Sequence, residues 1–124
     1  MLRFDFSAGV LRNRGELDAT LLDQLRLNHE RHGLTWQEAP VHITLSQLVR
    51  NLSAAGAPVV LLIDEYDKPI LDNLTEPDVA RVMREGLRNF YSVIKGLDAH
   101  LRFVLLTGVS KFTKVSLFSG LNNL

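Results

Sequence analysis

The sequence predicts an α/β protein whose core is a parallel sheet, with elements in the order β-α-α-β-α-β. Two apolar runs carry the sheet. Val59-Val60-Leu61-Leu62-Ile63 follows Pro58 and ends on Asp64-Glu65, and Leu101-Arg102-Phe103-Val104-Leu105-Leu106 ends on Thr107-Gly108. Short apolar runs bounded by breakers read as strands buried on both faces, the kind found in parallel sheets. The third observation is the helical spacing of apolar residues in the intervening segments, which are long enough for crossover connections.

Each element follows from its own residues. Met1-Leu2-Arg3-Phe4-Asp5-Phe6 alternates apolar and polar side chains and predicts a first strand over about 1–6, with Ser7-Ala8-Gly9 turning the chain. Leu17, Leu21, Leu22 and Leu25 recur at helical spacing and predict a helix over about 16–32, closed by Gly33. His29 and His32 lie near its end, where favourable dipole chemistry is the commoner role and metal ligation the rarer one. Trp36 and Pro40 fall in a segment expected to pack on the surface as a loop. Thr44 or Ser46 is expected to cap a second helix over about 45–55, with Leu45, Leu48, Val49 and Leu52 on one face. Gly56 and Pro58 stop it and lead into the strand at 59–64. Lys68 to Asn73 reads as a loop or short helical turn. Thr75-Glu76-Pro77-Asp78 is a helix start, with the threonine hydroxyl as cap, for a helix over about 77–97. Its stripe of Val79, Met83, Leu87, Phe90 and Ile94 is core, and Arg81, Arg84 and Arg88 read as a solvated face. The last strand covers about 101–107.

Composition narrows the function classes. The chain has 124 residues, is read as one domain over 1–124, and is 46% hydrophobic and 23% charged, as ordinary globular proteins are. Zero net charge gives no basic field for nucleic acid or an anionic membrane. Zero cysteines exclude disulfides, thiolate-zinc sites and a cysteine nucleophile. No apolar run approaches a membrane span and no signal-peptide pattern opens the chain, so a cytoplasmic location is expected.

The chemistry gathers at Asp64-Glu65. In open α/β folds ligands bind where strands end at their carboxyl termini. Asp64 there could hold a divalent cation, and Glu65 could orient or deprotonate a water. This is the Walker B arrangement of proteins that hydrolyse ATP, in which Mg²⁺ bridges phosphate oxygens. A buried strand ending in a solvated acidic turn explains the same residues equally well. Thr107, ending the other buried run, could sense a γ-phosphate or simply satisfy a turn. Ser110, Lys111 and Lys114 follow, and either lysine could reach a phosphate.

Two long stretches, VLLIDEYDKPILDN from Val60 to Asn73 and FVLLTGVSKFTKVSLFSGLNNL from Phe103 to Leu124, resemble the AAA-ATPase-like family of bacterial and archaeal proteins. Leu87 to Lys95 and Phe4 to Ser7 match its pattern too. In that family a P-loop ATPase module is usually followed by a nuclease-like domain. The resemblance implies a three-layer P-loop NTPase-like sheet, of which this chain supplies part. It implies ATP and Mg²⁺ as cofactors, Asp64 as the Mg²⁺ carboxylate, Glu65 as catalytic base, Thr107 at the sensor position and Lys111 as a phosphate contact.

One departure weighs on these expectations. No Gly-Lys pair occurs anywhere in the sequence, so the phosphate-cradling Gly-x-x-x-x-Gly-Lys-Ser/Thr loop is missing from it. Family sheets resemble the order 5-1-4-3-2, and this chain would supply strands 2, 3 and 4. The expectation is therefore a truncated member, with weak ATP affinity unaided. The strand at 101–107 is expected to show an open apolar edge, suited to pairing with a second copy or another protein. The alternatives are a non-enzymatic module pairing through that edge, and a metal-dependent hydrolase using Asp64, Glu65 and Asp67.

Overall fold

The computed structural model describes residues 1–56 and 58–108 and, as backbone, 114–116. Its strands are β1 (Leu2–Asp5), β2 (Val60–Asp64), β3 (Phe103–Thr107) and β4 (Lys114–Ser116). Its helices are α1 (Arg14–Arg31), α2 (Val41–Ala54), α3 (Lys68–Leu71) and α4 (Pro77–Gly96), with a short 3₁₀ turn at Asp98–His100. The sheet runs β1-β2-β3-β4, the first three strands parallel and β4 antiparallel to β3. The predicted α/β class and its three parallel strands are thus present.

The two strand runs are not buried on both faces. Along β2 burial alternates, with Leu61 and Ile63 fully enclosed and Val60 and Leu62 half-buried. The inward residues join one core cluster: Leu2 and Phe4, Leu61 and Ile63, Val104 and Leu106, under leucines of α1 and α2 and Met83, Leu87, Phe90 and Ile94 of α4. The cause is topological. A right-handed crossover from each strand to its next neighbour in the same direction puts every connecting helix on the same side of the sheet. Among the described residues, the helices form one layer on one face. An apolar run alone does not distinguish a strand with two covered faces from a strand with one.

Helix starts differ from expectation in three places. α1 begins at Arg14 rather than at about 16: Asn13 caps it by accepting the Glu16 N–H at 2.9 Å, while the Glu16 carboxylate takes the Arg12 N–H at 2.7 Å. Neither Thr44 nor Ser46 caps α2; the helix begins after Pro40, whose carbonyl accepts the Thr44 N–H at 3.1 Å. The two hydroxyls bond back within the helix, Thr44 to Val41 O and Ser46 to His42 O. At α4 the cap position is Glu76 without a side-chain bond, and Thr75 is exposed. Pro77 in the first turn carries no N–H, which leaves less for a hydroxyl to satisfy.

Two glycines act as expected of their geometry. Gly33 follows α1 with φ +71, and its N–H reaches Glu30 O at 3.1 Å. Gly86 faces α1, where an added Cβ would stand 2.5 Å from a Leu17 methyl, so the bare backbone sets how closely α4 approaches α1.

The expected open edge on β3 is overturned. β4 occupies it, pairing Leu105 with Ser116, Leu106 with Val115 and Thr107 with Lys114. The opposite edge, on β1, is closed by side chains. Asn28 of α1 accepts the Arg3 N–H at 3.3 Å and donates to Arg3 O at 3.0 Å, and Gln24 does the same for Asp5. Among the described residues no helix is long and apolar enough to cross a membrane.

Candidate functional site

Parallel pairing brings the ends of β1, β2 and β3 to one rim. Asp5 stands beside Asp64 in the β1–β2 register, and Ile63 pairs with Leu106, which sets Asp64 next to Thr107. The Thr107 hydroxyl donates to Asp64 Oδ1 at 2.9 Å and accepts the Glu65 N–H at 3.1 Å. The Thr107 carbonyl then accepts the Tyr66 N–H at 3.0 Å. One side chain thus ties the acidic pair together and continues the β2–β3 ladder past the strand end.

Glu65 carries φ +53, the only non-glycine among the described residues in that region. A glutamate held left-handed costs about 1–3 kcal/mol and persists where neighbours over-determine it. The two bonds to Thr107 provide that constraint. The reversal turns the chain at Glu65, directly after Asp64.

Arg3 is a member of this site that sequence reading missed. Its Nε and a terminal nitrogen lie 3.0 and 2.8 Å from Asp64 Oδ2, with Asp5 Oδ2 at 3.8 Å. Alternation does place Arg3 and Asp5 on one face of β1, but only the register shows that this face abuts Asp64. The pair is half-exposed, so its stabilising value is about 1 kcal/mol or less; its importance is positional. Arg3, Asp64, Glu65 and Thr107 line a cleft of ≈ 440 Å³ on the rim, large enough for a small ligand.

A second unforeseen group holds the loop after β1 against α3. Fully buried Asn73 donates to Leu11 O and Pro69 O and accepts from Arg12, and Lys68 bonds Gly9 O at 2.8 Å and Asp72 at 2.6 Å.

Other expected residues fall elsewhere. Lys111 and Ser110 lie outside the described residues, and Lys114 is described only as backbone opposite Thr107. Asp64, Glu65 and Asp67 do not converge as a hydrolase centre would need: no group of three such ligands that could hold a metal forms among the described residues. Asp67 instead opens α3, its carbonyl accepting the Ile70 and Leu71 N–H groups. His29 and His32 make structural contacts. His29 is buried, bonds Leu25 O at 2.8 Å and meets the Trp36 ring edge-on at 5.2 Å, while His32 bonds Asn28 O.

The rim's donor set suits Mg²⁺, a hard cation that takes one or two carboxylates and keeps several waters. Both Asp64 oxygens already accept hydrogen bonds, Oδ1 from Thr107 and Oδ2 from Arg3, and the carboxylates of Asp5 and Glu65 line the same cleft.

A family model described as "Predicted AAA-ATPase" matches residues 1–118. An "Uncharacterized protein in vnfD 5'region" of Azotobacter chroococcum mcd 1 is 52% identical over 125 residues, covering 100% of this chain and 24% of that protein. The chain thus spans about a quarter of the length of the curated relative it matches. No solved structure matches it.

Proposed function

The chain belongs to the AAA-ATPase-like family, and from that premise we propose that its β2–β3 rim is the acidic half of an ATP-hydrolysing site. The observation that carries this reading is the Thr107 bridge, which holds Asp64 by its carboxylate and Glu65 by its backbone at the ends of adjacent parallel strands. Asp64, in the Walker B role, would hold a magnesium ion, directly or through its water shell. Bound Mg²⁺ supplies charge neutralisation across phosphate oxygens. Glu65 positions or deprotonates the attacking water, and Thr107, in the sensor role, keeps both acids in register. Arg3 anchors Asp64 and lends the cleft its positive charge. Lys111 is a further phosphate contact.

Hydrolysis by these residues alone is not expected. The sequence contains no Gly-Lys pair, so it offers no phosphate-cradling loop. Two lost charge-assisted hydrogen bonds of about 1.5–3 kcal/mol each weaken binding by about 10²- to 10⁴-fold. The alternative, an interaction module pairing through the β3 edge, has lost its basis because β4 occupies that edge.

The test is a Mg²⁺-ATP titration of the ¹⁵N-labelled 124-residue chain. We expect millimolar, Mg²⁺-dependent shifts at the amides of Glu65, Tyr66 and Gly108, lost in Asp64→Asn and kept in Thr107→Ser. Shifts that ignore Asp64→Asn, or none at the rim, would overturn the reading.

A further inference from the structure

The outer face of α4 carries cations that no described residue pairs. Arg84, Arg88 and Lys95 line a groove of ≈ 290 Å³ whose apolar part is Tyr66, Ile70, Leu87 and Tyr91. Among the described residues none of these three cations makes an ion pair or side-chain hydrogen bond, whereas Arg3, Arg14, Arg26, Lys68 and Arg81 each pair with a carboxylate. Arg84 and Arg88 stand one turn apart, a like-charge arrangement that costs a few tenths of a kcal/mol in a helix. The chain has as many acids as bases, 14 of each, so this concentration is local. Glu85 lies three residues before Arg88 without reaching it, and Asp67, close enough to disfavour ionisation of both tyrosines, is the acid beside the groove.

We propose that this groove docks an acidic polypeptide segment of another protein, with a large apolar side chain seated between Tyr66 and Leu87 and carboxylates on Arg84, Arg88 and Lys95. Charge complementarity selects an anionic partner, and the apolar floor selects one with an anchor. The span selects a polypeptide over a compact anion: Arg84 to Lys95 covers about 16 Å of helix axis, roughly three turns of a docked helix or five extended residues. A buried anchor ringed by charge pairs is how helix-in-groove and acidic-motif recognition divide affinity from selectivity. Asp64, Glu65 and Thr107 take no part, so the proposal stands or falls independently of the ATPase reading.

The experiment uses the ¹⁵N-labelled 124-residue chain and three probes. These are a twelve-residue glutamate-rich peptide with a central tryptophan and leucine, an all-glutamate peptide of equal length, and a twelve-nucleotide oligo-dT. The tryptophan peptide is expected to shift the amides of Tyr66, Leu87, Tyr91 and Ser92 and to bind at least tenfold tighter than either control. The exposed double variant Arg84→Glu/Arg88→Glu should weaken it at least tenfold with an unchanged melting curve. Ser92→Trp, which fills the groove without touching the charges, should do the same, so a misfolded double variant leaves the test intact. Equal binding of the all-glutamate peptide would reduce the face to non-specific charge and overturn the proposal. Tighter binding of oligo-dT, shifts outside the groove, or no binding at millimolar peptide would overturn it as well.

Discussion

Glu65 concentrates what is unusual about this chain in one backbone angle. Its φ of +53 is tolerated because the N–H is captured by Thr107 and the next N–H by the Thr107 carbonyl. Glycine adopts that angle without steric cost, so Glu65→Gly should raise stability by about 1 kcal/mol, the relieved strain exceeding the added freedom of the unfolded chain. The check is the urea midpoint, which should rise at constant m-value. A midpoint that falls would mean the glutamate side chain contributes more than its backbone costs.

At the scale of elements, the sheet's two edges are managed by different means. β4 covers β3, while α1 reaches down with Gln24 and Asn28, one helical turn apart, to satisfy the N–H and C=O groups of Asp5 and Arg3. Two side-chain amides thereby take the place of a neighbouring strand and block edge-to-edge pairing. Gln24→Ala/Asn28→Ala should lose about 1 kcal/mol per amide and expose a free parallel-sheet edge. Sedimentation at rising concentration should then show more self-association than in the parent chain; a double variant that sediments as the parent does would show that the edge is guarded some other way. Asn28 sits on the buried side of α1 and reads from sequence as a polar interruption of a leucine stripe. Its partner is a strand 25 residues earlier, which helical periodicity does not reveal.

The molecule as a whole should be limited at alkaline pH by its tyrosine pair. Burial, with Tyr66 and Asp67 nearby, pushes the Tyr91 hydroxyl far above its ordinary value, and burial raises Tyr66 as well. The unfolded chain ionises Tyr91 near pH 10, about its free value, while the folded chain keeps it neutral. The contribution of Tyr91 is therefore fully present below about pH 10 and is lost as pH rises further, by about 1.4 kcal/mol per pH unit at most. Tyr91→Phe removes only a long contact of 3.5 Å to Tyr66 O, so it should cost under about 1 kcal/mol at pH 7. Stability profiles should cross above pH 10, with the variant declining less steeply. A parallel decline would assign alkaline unfolding to other groups.

The sequence by itself determined the order and parallel sense of the first three strands, the helices that connect them and the placement of Asp64, Glu65 and Thr107 on one rim, because apolar runs, crossover lengths and strand polarity are local or follow from chain connectivity; the antiparallel β4 it did not foresee. It also made the family visible through long runs around those residues. Only the tertiary structure decided that one face of the sheet is covered by helices, that neither β1 nor β3 presents a bare edge, and that Arg3 stands on Asp64. Each of these depends on register or on which neighbour lies across a gap. A residue's own type and spacing say which bonds it can make, whereas the fold says which partner arrives to make them.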